Sequence, residues 1–237
     1  MNELTQRLGS QDWPSLYREL NRAGYALIRQ CLTPDQCAQA IQHYGETQGF
    51  RKTVTMARHG FGEGSYRYWH YPLPTLVQTL RQQLYPRLVP VANQWMARLR
   101  IDTRFPEDLD ALHQQCRDAG QCLPTPLILR YGVGGYNTLH QDLYGTVYFP
   151  LQAACFLNEP REDYTGGEFV LTEQRPRAQS RATVLTPRRG DLLVFATNFR
   201  PMESARGYAR ATLRHGISEV RSGHRYALGI IFHDAAG

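Results

Sequence analysis

Leu127-Ile128-Leu129-Arg130-Tyr131-Gly132-Val133-Gly134-Gly135-Tyr136-Asn137-Thr138-Leu139-His140-Gln141-Asp142 begins as an apolar β-type run, breaks at a glycine-rich turn and ends on a His-x-Asp pair. Alternate residues of a strand project to the same side. His140 and Asp142 at the end of a strand can therefore grip one ion together. A third ligand has to come from a distant strand brought alongside, and Leu213-Arg214-His215-Gly216-Ile217-Ser218 offers His215 in that setting. Two imidazoles and one carboxylate are the facial ligand set that holds Fe(II) and leaves positions open for oxygen chemistry. His224 competes with His215, but it directly precedes Arg225 and lacks the following Gly-Ile. His43, His59, His70, His113 and His233 read as ordinary structural or surface residues.

From Pro126 onward β-type runs recur: Thr146–Phe149, Ala154–Leu157, Glu168–Leu171, Ala182–Leu185, Leu192–Phe195 and a last strand ending near Phe232. Thr165-Gly166-Gly167 and Arg188-Arg189-Gly190-Asp191 punctuate them. Short strands at near-regular spacing with such turns indicate a sandwich or jelly roll, with the ligands at its open mouth. The N-terminal part mixes signals. Asp12-Trp13-Pro14 caps a first helix, Gly24–Ile28 reads as a short strand, and Thr33-Pro34 opens a second helix. A third helical pattern runs from about Leu76 to Leu99, with Leu80, Leu84, Leu88 and Val91 on one side. The expectation is an α+β chain of one domain. Residues 1–125 form a helical and lid elaboration, and residues 126–237 form the β core.

A chain of 237 residues can bury a full core. It has no apolar run of the roughly 18 residues that span a bilayer, and its first residues lack the apolar region of a signal peptide. Five cysteines without a C-x-x-C pair argue against a disulfide framework or thiolate zinc site and fit a reducing cytoplasm. The formal charge is +6, carried almost wholly by arginine, with Lys52 the only lysine. That balance permits a nucleic-acid partner without requiring one.

The stretch Leu129–Phe232 resembles the Fe(II)- and 2-oxoglutarate-dependent oxygenases, which are built on a double-stranded β-helix. The matching pieces are His140-x-Asp142, Gly166-Gly167-Glu168-Phe169, Gly190-Asp191-Leu192-Leu193-Val194-Phe195, and His215-Gly216-Ile217 followed by Gly223-His224-Arg225-Tyr226. More narrowly, Tyr136–Gly145, Phe169–Arg177 and Ile231–Ala235 are similar to a bacterial oxygenase family catalogued as acting on damaged nucleic acid, by analogy with AlkB-type demethylases. The resemblance implies that His140, Asp142 and His215 bind Fe(II) as the catalytic centre, with 2-oxoglutarate and O2 completing it. Arg225 is the expected partner of the distal carboxylate of 2-oxoglutarate, with Arg221 as its rival. Tyr131 either adds a hydroxyl to that carboxylate or is a half-buried strand aromatic. Asn137 or Thr138 can support the other end of the cosubstrate.

For substrate, Arg51–Ala57 and Arg58–Tyr71 interleave cations and aromatics around a glycine-rich turn. Arg58, Tyr66, Arg67 and Trp69 are the candidate contacts to a single strand or flipped base, stacking bases and tracking phosphates. The same segment also reads as a hairpin lid whose aromatics pack on the barrel. Arg175, Arg177, Arg181, Arg188 and Arg189 form a second basic group, equally consistent with a solvated face. Three readings follow: an oxygenase that dealkylates damaged nucleic acid, a hydroxylase of a protein side chain or metabolite, and a non-catalytic β-roll. The intact ligand set with Arg225 argues against the last.

Overall fold

The computed structural model describes residues 3–205 and 207–236. The N-terminal part carries helices α1 (Glu3–Gly9), α2 (Trp13–Ala23), α3 (Pro34–Tyr44), α4 (Thr75–Arg98) and α5 (Leu109–Asp118). Strands β1 (Tyr25–Ile28), β2 (Phe50–Thr55), β3 (Gly62–Glu63) and β4 (Ser65–Trp69) are threaded between them. The remainder supplies β5 (Leu127–Tyr131), β6 (Tyr136–His140), β7 (Leu151–Phe156), β8 (Tyr164–Gly166), β9 (Phe169–Gln174) and β10 (Arg181–Leu185). It continues through β11 (Leu192–Ala196), β12 (Phe199–Ser204), β13 (Gly207–Ile217), β14 (Val220–Gly223) and β15 (Arg225–Ile230). No helix is long and apolar enough to cross a membrane among the described residues.

Local chemistry sets the helix ends. The Asp12 carboxylate accepts from the Ser15 N–H at 3.1 Å, and Pro14 occupies the first turn of α2. Thr33 and Gln36 form a reciprocal capping box on α3. Gly24 closes α2 in the left-handed region at φ 78°, where a Cβ would press on Leu213 and Arg200.

A seven-stranded sheet runs β1-β11-β7-β15-β5-β4-β2, and a second runs β10-β9-β13-β6-β3 with β12 on β13. The pairings of the central strands are antiparallel. The larger sheet is covered on both faces, which explains the unbroken apolar run of β11. Leu192 and Val194 lie in the buried cluster that also holds the α2 and α4 side chains, whereas Leu193 and Phe195 face the second sheet. Leu80, Leu84, Leu88 and Val91 of α4 are all buried in the first cluster, each such side chain contributing about 1.5–3 kcal/mol.

The N-terminal part and the β core share one sheet, because β1 pairs with β11 and β4 pairs with β5. The N-terminal part thus completes both edges of the larger sheet. Thr146–Phe149 is irregular rather than a strand. Side chains take over its backbone bonds: Gln121 accepts from the Val147 N–H and donates to its carbonyl, and His233 accepts from the Phe149 N–H.

Candidate metal centre

His215 and His140 are direct cross-strand partners on β13 and β6, with ring centroids 4.2 Å apart. The pairing slips by one residue between there and Ile217↔Asn137, an irregularity of the kind that re-aims side chains beside sites. Asp142 lies two residues past His140, as the alternation requires. Its Oδ1 is 3.6 Å from His140 Nε2 and its Oδ2 is 3.3 Å from His215 Nε2. The three donors lie within 4.8 Å of one another. Donors in neighbouring octahedral positions with bonds of roughly 2.1 Å are about 3.0 Å apart, so this set closes on one ion with small adjustments.

The surroundings fix each ligand. A carbonyl can only accept, so His140 Nδ1 donates to the Thr138 carbonyl at 2.8 Å and Nε2 keeps its lone pair for a metal. His215 is held by rings instead, stacked on Phe169 at 5.8 Å and edge-on to Phe195 at 4.8 Å. Burial, helped by neighbouring His140, lowers its pKa and favours the neutral, metal-binding imidazole. Burial alone would raise Asp142, yet His215, His140 and the Tyr144 hydroxyl together hold its carboxyl well below the usual range. Tyr144 donates to Asp142 Oδ1 at 2.7 Å, and Tyr68 donates to the Tyr144 oxygen at 3.3 Å. Gln141 turns the other way and donates to the carbonyls of Leu213 and Asn198, tying the ligand loop to β13. Neither Tyr144 nor Gln141 stands out from the sequence. Strand alternation does carry a signal for Gln141, since the residue between two ligands must face away.

A cavity of about 230 Å³ runs from the ligands to Arg225 on β15. Tyr131, Asn137, Thr138 and Tyr66 also line it. Arg225 is the cross-strand partner of Tyr131, is 2% exposed, and its Nε has no hydrogen-bond partner. It forms no ion pair among the described residues. Asn137 donates weakly to the Tyr131 hydroxyl at 3.4 Å. Gly167 makes room here, because a Cβ would press on the Arg225 stem. Arg221 is exposed on β14 and does not line the cavity.

The candidate substrate residues divide. Tyr66 lines the cavity and Arg58 is exposed on the turn beside it. Trp69 is 3% exposed and stacked on Phe50 at 5.6 Å, so it is a core residue with no face free for a base. Arg67 is also committed elsewhere. Its guanidinium donates to the carbonyls of Tyr44 and Glu46 and covers the Phe50 ring at 3.8 Å. Phe61 joins the site although nothing in the sequence singles it out: it lines the cavity, is 46% exposed, and stacks on His59 at 5.3 Å.

Residues 64–235 match the model of a family described as "Oxygenase, catalysing oxidative methylation of damaged DNA". This chain belongs to that oxygenase family. Two Mycobacterium tuberculosis proteins, whose names assign no function, are each 50% identical to it over 165 residues, covering 70% of this chain and 71% of theirs. A 2-oxoglutarate and Fe(II) oxygenase-family oxidoreductase from Burkholderia pseudomallei shares the fold at TM-score 0.57 and 16% identity, covering 96% of this chain and 95% of that one. A Pseudomonas putida prolyl-4-hydroxylase does so at TM-score 0.52 and 15% identity, covering 95% and 100%. The family match, the shared fold and the His-Asp-His donor set agree on an Fe(II)- and 2-oxoglutarate-dependent oxygenase.

Proposed function

We propose that the oxygenase hydroxylates an alkyl group on a damaged nucleic-acid base, releasing the alkyl carbon as an aldehyde and restoring the base. His140, Asp142 and His215 hold the Fe(II). Arg225, with the Tyr131 hydroxyl beside it, takes the distal carboxylate of 2-oxoglutarate. Bound Fe(II) with 2-oxoglutarate and O2 supplies oxidation of a C–H bond, with succinate and CO2 as coproducts. The chain's own residues position and shield. Tyr144 keeps Asp142 oriented toward the histidines, and the apolar walls from Leu129, Phe169, Phe195 and Ile217 exclude water around the reacting carbon.

The observation that carries the nucleic-acid reading is the rim of the cavity. Phe61 and His59 stack there at an interplanar angle of 22°, with the exposed Arg58 on the same turn. A flat base can stack on such a platform, worth about 1–3 kcal/mol, while a cation meets its phosphate. The family description and the net charge of +6 support the same class.

The test loads the protein with Fe(II) and follows succinate against alkylated oligonucleotides, peptides and small metabolites. Alkylated oligonucleotides should stimulate succinate release, and Phe61→Ala should remove that stimulation while slow uncoupled succinate formation persists. Stimulation by a peptide or metabolite, with none by any oligonucleotide, would sink the reading.

A further inference from the structure

A second cavity, of about 260 Å³, opens where the edges β1 and β10 of the two sheets face each other. Four arginines converge on it from distant parts of the sequence: Arg22 at the end of α2, Arg175 after β9, Arg181 on β10 and Arg200 on β12. Glu173 is the one acidic residue lining it, so four positive charges face one negative, leaving an excess of three. Glu173 is already engaged. Arg200 reaches it at 2.6 Å and Arg175 at 2.9 Å. Arg200 is itself 4% exposed and anchored on the Asn21 and Pro201 carbonyls, a rigid floor. The side chains of Arg22 and Arg181 have no hydrogen bond or ion pair among the described residues, and both residues are exposed at the opening. Like charges gathered in a recess repel unless an anion enters, and the guanidinium fork matches phosphate oxygens in pairs.

The recess also has a defined place relative to the metal centre. Glu173 faces Leu213 across β9 and β13, and Leu171 faces His215. Leu171 lines the recess too, and its charged floor at Glu173 lies two residues along the sheet from the His215 position, about 7 Å of strand. It lies toward the Asp142 end of the centre, since Gln141 binds the Leu213 carbonyl, and away from Ile217. We propose that this recess is an oxyanion site that takes a phosphate group. Resting on the nucleic-acid reading above, that phosphate belongs to the backbone of the substrate strand, gripped while a base enters the neighbouring cavity.

The experiment uses the full chain loaded with 2-oxoglutarate and a redox-inert divalent metal. Inorganic phosphate binding is measured by calorimetry, and a labelled single strand by fluorescence anisotropy across a salt series. The variant is Arg22→Gln with Arg181→Gln, and the control is Arg188→Gln with Arg189→Gln, an equal charge change outside the recess. The expected result is phosphate binding that falls at least tenfold in the recess variant and not in the control. The log-log salt slope for the strand should flatten in the recess variant by about 0.7 for each phosphate that is no longer neutralised. Loss of phosphate binding with strand binding absent or unchanged would uphold the oxyanion site and overturn its assignment to a strand. Strand binding that is intact in both variants, with no phosphate binding by the wild type, would overturn the recess and leave the nucleic-acid reading standing. The single variant Arg181→Gln, on an exposed strand position, repeats the comparison if the double variant loses stability.

Discussion

Arg225 is a buried cation with no ion-pair partner among the described residues, its Nε unpartnered and the rings of Tyr131 and Phe156 about its guanidinium. Leaving a charge in that state costs several kcal/mol, so the geometry calls for an anionic ligand from outside the chain. The proposed occupant is the distal carboxylate of 2-oxoglutarate, and a charge-assisted contact of about 1.5–3 kcal/mol corresponds to roughly a ten- to hundredfold change in affinity. Arg225→Ala should therefore raise the 2-oxoglutarate concentration for half-maximal succinate formation at least tenfold. Arg221→Ala, at an exposed position off the cavity, should leave it unchanged. A 2-oxoglutarate titration of both variants decides the matter, and equal effects would reverse the assignment. The rival arginines were both legible in the sequence; burial separates them, and burial depends on which strand faces the interior.

The turn that joins β2 to β4 is fixed over the mouth of the cavity by a short seam. Through it β3 pairs with β6, Gly62 opposite Asn137, and Thr138 donates to the Phe61 carbonyl from both backbone and hydroxyl. Gly62 has φ 127°, and a Cβ there would run into the Tyr136 carbonyl. Gly62→Ala should part β3 from β6 while leaving the larger sheet intact. Hydrogen exchange at residues 56–64 should accelerate at least tenfold, with metal affinity at the centre little changed. Unchanged exchange there would mean that the hairpin is held by other contacts. This element also marks where sequence reading ran out. The convergence of His140, Asp142 and His215 was legible because strand alternation and ligand chemistry constrain them together. The roles within Arg58–Trp69 were not, because alternating cations and aromatics fit a binding face and a packed hairpin equally well. Arg67 and Trp69 went to the framework through the Tyr44 and Glu46 carbonyls and Phe50, partners that only the tertiary fold brings near. Thr146–Phe149 has the composition of a strand and lost that form because Gln121 and His233 supply its hydrogen bonds.

Helix α4, the end of β15 and the segment after it meet around two buried imidazoles whose titration couples the whole fold to pH. Burial, reinforced by Arg81, pushes both His113 and His233 down to about 4, from an ordinary value of 6.5. His113 Nε2 donates to the Phe232 carbonyl, whereas His233 Nδ1 accepts from the Phe149 N–H and so cannot carry a proton in the native state without breaking that bond. Both folded pKa values lie below the unfolded one, so between about pH 6.5 and 4 the unfolded chain binds more protons. Stability is therefore full above pH 6.5 and falls as the pH drops toward 4, by roughly 1.4 kcal/mol per pH unit for each imidazole at most. Asp142, whose carboxyl is depressed, acts with the opposite charge but in the same direction, and only at lower pH. Urea midpoints measured at pH 7.5, 6 and 5 should be level across the first interval's upper part and then decline steeply. His233→Asn retains a side-chain oxygen to accept from the Phe149 N–H but cannot titrate. It should lessen the decline by about half, whereas a midpoint that stays flat from pH 6.5 to 5 in the wild type would show that neither imidazole is held neutral by the fold.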